Sequence, residues 1–530
     1  MKNRLAGSFV ATGNISNATT GYHRDPLSLL FGMCKGAVES NNRVFIHKDR
    51  LIRVNLNWVR DYVLSMKGFR YFEPDLVSFI DLILEEQTEK GFFFEIIAPL
   101  GTDMHSGKCV DNHPECRKII PGSRFGLCRL ELEADIEYLM VEGVFMIWQA
   151  VGNDDYLRRN LPRLEKGLNY IKTDPLRWDD TYNLAKRPHT IDTWDFLDNR
   201  RSQMDRTIHP DDPMGIMHGD NTGLYQAEIL MAKMYRVVGD ETAALQHDKF
   251  AVALKERINK YLWNGEFYRH FLCLDPVDYG VDEKWQLSLS NSYALNRGTA
   301  TPEMCRAILN RYRSMRDKYH GPLDDFRTLD PAYPVFLGMK AGTYVNGTCG
   351  PFVAGELALG AFENGMEDYG VAILDRIGCK MLDDGKLGFL YNYEGNDAAG
   401  GPRCWGGAEM MHALTMGLAG VRDHGKLFED VTFSPRFSAA HEPEAYVRLE
   451  YAPSQACAEY HWTADYAAKR LTFELVSTHQ KAQLRMLLPK GACSFKASAP
   501  GFRLEKVFDS SYAVCDAIST GTKFVLDYAE

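Results

Sequence analysis

Apolar residues recur at helical spacing over ten stretches: 57–67, 74–90, 133–151, 155–172, 220–238, 241–262, 302–318, 351–364, 368–382 and 405–420. Weaker versions of the same pattern lie near 27–38 and 285–296. Lys67 to Pro74, Gly152-Asn153-Asp154 and Val238-Gly239-Asp240 each read as a stop followed at once by a start, so these helices pair as hairpins. The longer links, 92–130, 174–217, 264–290, 320–350 and 383–404, fall between pairs. Five or six hairpins closed into a ring would gather the long links on one rim, where binding residues collect. After Arg422 the period changes to two. Ala445–Tyr451, Leu471–Leu475, Gln483–Leu487 and Lys523–Leu526 alternate apolar and polar residues between turns, which predicts a small antiparallel β domain. The expected domains are an N-terminal segment 1–50 packing on the helical ring, a helical domain 51–422 and a β domain 423–530.

A chain of 530 residues with 45% hydrophobic content can bury a large core in more than one domain. The formal net charge of −10, with no Lys/Arg-rich block, would repel a phosphate backbone, so nucleic acid is not an expected partner. No apolar run approaches the roughly 20 residues that span a bilayer, so no membrane is expected either. The amino terminus has no sustained apolar core, and twelve cysteines are scattered mostly singly. Both features predict a cytoplasmic protein with reduced thiols. His105, Cys109, His113 and Cys116 are all able to ligate zinc, but their spacing matches no finger, ribbon or zincin pattern. The segment reads as a loop over the mouth of a pocket, and no metal or cofactor is expected.

Residues 190–199, Thr-Ile-Asp-Thr-Trp-Asp-Phe-Leu-Asp-Asn, place three carboxylates around a tryptophan between two amphipathic stretches. A sugar offers an apolar face to an aromatic ring and a rim of hydroxyls to carboxylates, and a carboxylic acid can protonate a glycosidic oxygen. The competing reading is a solvated acidic loop around one buried tryptophan.

The order of landmarks resembles the six-hairpin glycosidases, the group that includes glucoamylases, processing α-glucosidases and bacterial α-L-rhamnosidases. Trp58-Val59-Arg60-Asp61 is similar to the Trp-x-Arg-Asp element that holds sugar hydroxyls, and 73–90 to the second helix. Asp192-Thr193-Trp194-Asp195 resembles the segment carrying the general acid. Asn346–Val353 looks like the opening of a late inner helix, and Gly401–Val421 like the last one with its Gly-Leu-x-Gly exit. The large amino-terminal β domain of many relatives is not seen. The resemblance implies a mainly α fold, an (α/α)6 toroid followed by a C-terminal antiparallel β-sandwich, and an exo-acting, inverting glycoside hydrolase that removes a terminal sugar from an oligosaccharide or small glycoside.

Inversion needs an acid for the leaving oxygen and a base for water, with carboxyl groups about 6.5–9.5 Å apart. Asp195 is the expected acid, with Asp192 and Asp198 as competitors. Glu394, eleven positions before Trp405, is the expected base, with Glu356, Asp397 and Glu409 as competitors. Substrate contacts are expected from Trp58, Arg60, Asp61, Asp192, Trp194, His218, Asp220, Arg403 and Trp405. For Arg60 and Asp61 the alternative is a buried structural ion pair; for Asp220 or Asn221 it is a helix cap. Two other activities fit the same residues: a glycoside phosphorylase, with Arg403 and His218 receiving phosphate, and a non-catalytic carbohydrate-binding protein. A homo-oligomer is compatible with the sequence.

Overall fold

The computed structural model describes residues 9–11, 26–39, 42–100, 113–195, 206–477 and 481–529. Among them are twelve α-helices: α1 (Pro26–Glu39), α2 (Val59–Phe69), α3 (Ser78–Glu85), α4 (Ile136–Val151), α5 (Asp154–Thr173), α6 (His218–Val237), α7 (Glu241–Tyr261), α8 (Ser290–Arg297), α9 (Pro302–Tyr319), α10 (Pro351–Glu363), α11 (Glu367–Asp384) and α12 (Arg403–His412). Every expected helical stretch is present. Packing sorts them into two layers. Helix α2 packs on α4, α4 on α6, α6 on α8, α8 on α10, α10 on α12, and α12 back on α2. The other six lie outside: α3 and α5 contact α4, α7 contacts α6, α9 and α11 contact α10, and α1 covers α12.

Sequence dictates the layer. Helix α4, IEYLMVEGVFMIWQAV, is apolar nearly all round and is buried from Ile136 to Ala150. Its partner α5, DDYLRRNLPRLEKGLNYIKT, buries one stripe including Tyr156, Leu157, Leu161, Leu164, Leu168 and Ile171. Between them Gly152 takes the left-handed conformation (φ 77°), and Asn153 caps α5 by accepting from the amides of Asp155 (3.0 Å) and Tyr156 (3.3 Å). Asp240 caps α7 through the Ala243 amide at 3.0 Å. Helix α3 is shorter than its periodicity implies, because Asp75 accepts from the amides of Val77 and Ser78 and sets its start. Asn221 and Asp220 do not cap α6, which begins earlier, at His218. Asn221 instead bonds both backbone groups of Ala185, at 2.8 and 2.9 Å.

The carboxy-terminal region holds a six-stranded and a five-stranded sheet. Phe433 of the smaller sheet meets Tyr460 and Phe473 of the larger, so the two share a core. The longest strand, Cys457–Asp465, was not among the expected strands, although polar and apolar residues alternate in it from Ala458 to Asp465. At the other end of the chain, Phe9–Ala11 pairs in parallel with 445–447, so the amino terminus joins this domain while α1 joins the ring. Ten described cysteines are free thiols, but Cys128 is disulfide-bonded, which corrects the expectation of reduced thiols throughout. Among the described residues no helix is long and apolar enough to cross a membrane.

Candidate active site

All six inner helices begin at the same end of the ring, and the long links precede them. The positive ends of their dipoles therefore converge where Asp61, Asp135 and Asp220 lie, in or just before a first turn. The loop 190–195 crosses this end, and two buried arginines clamp it. Arg60 donates to the carbonyl of Thr193 and Arg187 to that of Trp194, each at 2.7 Å. Asp192 anchors the loop from the other side. Its residue sits at φ 51°, a conformation a non-glycine residue holds only under constraint. Its carboxylate accepts from the Ser290 amide (3.1 Å) and hydroxyl, and its own amide donates to His270 Nε2 at 2.7 Å. His270 must then carry its proton on Nδ1, which donates to Gln286 at 2.6 Å. Burial would raise Asp192, but the nearby imidazoles of His218 and His270 and the serine donors hold it below its ordinary range.

Asp195 follows directly, 5% exposed, with the Arg206 guanidinium 4.0 Å away. Trp194 donates to the Tyr344 hydroxyl (3.2 Å), meets that ring edge-on and stacks against Trp405 with centroids 6.0 Å apart. Trp405 continues the stack onto Phe352 at 4.3 Å. The Tyr344 phenol is pushed up by burial and then by the negative charges of Asp195 and Asp61, so both carboxylates act on one hydroxyl. Arg60 is held by Asp135, at 2.5 and 2.9 Å, and lies against Glu133. Burial is outweighed by these carboxylates, and Arg60 stays charged. Glu95 lies in the same charge cluster. Burial raises it to about 8, against the pull of Arg129 and Arg60.

The expected site residues divide into three groups. Arg60, Asp61, Asp192, Trp194, Asp195 and Trp405 come together at the rim. Trp58 borders it, half-buried on a small cluster with Ile96 and Leu130. His218 and Asp220 lie beneath the loop with essentially no exposed surface. His218 donates from Nδ1 to the Arg269 carbonyl and is lowered to about 4 by burial; Asp220 is raised to about 6 by burial, with Arg187 3.6 Å away opposing. Arg403 and Glu394 lie on the outer hairpin of 390–399. Arg403 pairs with Asp397 at 3.4 Å, and Glu394 is exposed in the turn, with no hydrogen bond or ion pair to another described residue. Of the competing bases, Asp397 is paired with Lys386 and Arg403. Glu356 and Glu409 are buried at mid-bore on Lys67. Asp198, His105 and Cys109 lie outside the described residues. Cys116 is buried, its thiol pushed up to about 12 by burial, and the one group among the described residues with metal-ligand proximity is the largely exposed His113, Glu115 and Glu131.

Sequence reasoning did not find Glu95, Glu133, Asp135, Arg206, Tyr344 or Arg187. A signal existed for two of them: Glu131-Leu132-Glu133-Ala134-Asp135 alternates acids just before an all-apolar helix, where carboxylates need a cation.

Comparison with solved structures places this architecture. An α-L-rhamnosidase from Dictyoglumus thermophilum superposes over 95% of this chain and 49% of its own, with a TM-score of 0.58 at 13% identity. This chain shares its fold with that enzyme. A GH78 family rhamnosidase of a Bacillus species gives 0.56 over 88% of this chain and 42% of its own, also at 13% identity. The GH63 mannosylglycerate hydrolase from Thermus thermophilus, in complex with Tris and D-glycerate, gives 0.52 over 72% of this chain and 99% of its own, at 13% identity. The chain thus spans about half the length of the rhamnosidases it matches. No protein-family model and no curated protein matches the sequence.

Proposed function

We propose that the protein is a glycoside hydrolase that removes a terminal sugar, with Asp195 as general acid. What carries this reading is the position of Asp195: a nearly buried carboxylate, beside an aromatic wall, at the converging helix starts of a six-hairpin ring. Arg60 and Arg187 hold the two preceding carbonyls, so the backbone fixes where the acid lies. Trp194, Trp405 and Tyr344 supply apolar surface for a ring and a hydroxyl for its rim. An inverting reaction needs a second carboxylate on the far side of the sugar. Glu394, in its exposed turn, is open to the water it would activate. A second reading gives this role to Asp61, because it shares Tyr344 with Asp195.

The test is hydrolysis by purified protein of aryl α- and β-glycosides, including α-L-rhamnosides, and of mannosylglycerate, with and without phosphate. Phosphate-independent release of sugar is expected, lowered about 10²–10⁴-fold in Asp195→Asn. Comparing Glu394→Gln with Asp61→Asn identifies the base as the variant that falls as far. Release that requires phosphate would assign a phosphorylase instead, and sugar binding without cleavage across the panel would assign a binding protein.

A further inference from the structure

A cavity of about 450 Å³ lies at the end of the ring opposite the rim, where the inner helices finish and the β domain docks with Phe428 and Tyr451. The void behind the rim at Thr193 and Trp405 is far smaller, about 20 Å³. The larger volume falls within the roughly 300–1,000 Å³ of small-molecule sites. Its mouth is marked by the exposed Lys233, Gly298 and His424.

Glu142, 9% exposed, and the half-buried Gln226 line this space, and neither side chain bonds another described residue. Arg70, 5% exposed, presents an Nε with no hydrogen-bond partner. A buried carboxylate with no hydrogen bond, beside a guanidinium that donates to the Tyr71 hydroxyl at 3.1 Å but leaves its Nε unpaired, is costly unless something fills the space. The remaining charges nearly cancel: Lys67 pairs with Glu356 at 2.5 Å and Arg422 with Glu363 at 3.2 Å, while Arg70 and Arg297 face Asp423 and Glu142. Only the exposed Lys233 is in excess on this wall, so neither an anion nor a cation is selected. Carboxylate, amide and guanidinium groups beside the rings of Phe145 and Tyr451 suit a neutral, polyhydroxylated molecule.

We propose that this cavity is a second carbohydrate-binding site, sized for a mono- or disaccharide and separate from the Asp195 rim. The choice of ligand class rests on the glycosidase reading; the cavity and its unpartnered groups do not. A hydrogen-bonded chain joins the two ends. Glu356 and Glu409 share Lys67, the Tyr293 hydroxyl donates to Glu409 at 3.2 Å, and Trp405 donates to Tyr293 at 2.6 Å and stacks on Trp194. An occupied cavity therefore has a bonded route to the acid-bearing loop.

Saturation-transfer NMR of the full chain with D-glucose, L-rhamnose and maltose tests the site. Three variants separate the two ends: Trp194→Ala at the rim, Leu230→Trp to fill the cavity without changing charge, and Glu142→Leu. Binding is expected to persist in Trp194→Ala and to weaken about tenfold or more in the two cavity variants, through lost space in Leu230→Trp and through loss of a charged hydrogen-bond partner in Glu142→Leu. Hydrolysis without added sugar should survive in both cavity variants. Binding lost in Trp194→Ala, unchanged in the cavity variants, or absent for every probe would overturn the proposal. Hydrolysis that continues in any of those cases leaves the glycosidase reading standing, and cavity binding without hydrolysis would do the reverse.

Discussion

Lys67 shows how one residue sets the electrostatics of the bore. Its ammonium lies 2.5 Å from Glu356 and 3.0 Å from Glu409, all three nearly or fully buried. Burial and then the neighbouring Glu356 push Glu409 well above the usual carboxylate range, whereas Lys67 outweighs burial and holds Glu356 below it. One carboxyl is therefore neutral and one ionised. Glu409→Gln replaces a protonated acid with its near-isostere and should cost at most about 1 kcal/mol. Lys67→Met leaves Glu356 buried without a counter-charge and should cost about 3–5 kcal/mol. Urea denaturation of the two variants distinguishes them, and equal losses would contradict the assignment. None of this was legible locally, because Lys67, Glu356 and Glu409 come from three distant helices. The Asp192–Asp195 loop and Trp58–Asp61, picked out by residue type and spacing, do lie near one another at one end of the ring, and their chemistry is the proposal above. Glu394 was chosen because the resemblance calls for a carboxylate in the loop before the last inner helix, and its exposure in that turn is set by the hairpin of 390–399 rather than by residue type.

At the level of elements, hydrophobic period found every helix, and stop-start signals found their pairing, because both are properties of adjacent residues. Cap side chains explain the remaining shifts of boundary, as at Asp75 before α3. Asn153→Ala should cost about 1 kcal/mol of stability through the two amides it satisfies, measurable as a lowered denaturation midpoint. A network across α5, α6 and α7 makes a pH-dependent prediction. His247 contacts Glu165 at 2.8 Å and Glu228 on its other nitrogen. Burial would lower its pKa, but those two hydrogen bonds raise it to about 9 from an ordinary 6.5. A raised folded value means stability that is whole below about pH 6.5, declines above it and is gone past about 9. The melting temperature should fall across that window, and His247→Gln should flatten the fall. A variant with the wild-type slope would assign the pH dependence elsewhere.

The ring and the β domain behave as one body to the extent that their interface holds, and an ion pair between a buried arginine and a partly exposed glutamate spans it. Arg436, 1% exposed in the turn after Asp430–Phe433, donates to the carbonyl of Gly417 beyond α12 at 2.6 Å and to Glu363 at the end of α10 at 2.9 Å. Tyr460 adds a bond to the Ala419 carbonyl at 2.5 Å, and Ser510 and Tyr512 reach Glu367 at the start of α11. Burial would raise Glu363, but Arg436 and Arg422 hold it at about 2. A depressed folded value means stability present in full above the ordinary 4.5 and lost as the pH falls toward about 2. Calorimetry near neutral pH should therefore show ring and β domain unfolding together, and acidification below about 4.5 should separate them into two transitions. Arg436→Met removes the buried cation and leaves Glu363 paired only with Arg422, so it should separate the transitions already at neutral pH, and Glu363→Gln should remove the acid dependence. The double variant tests the pair itself: with neither charge to compensate, it should be more stable than Arg436→Met alone. A single transition in Arg436→Met would mean that the shared apolar contacts, rather than this ion pair, couple the two domains.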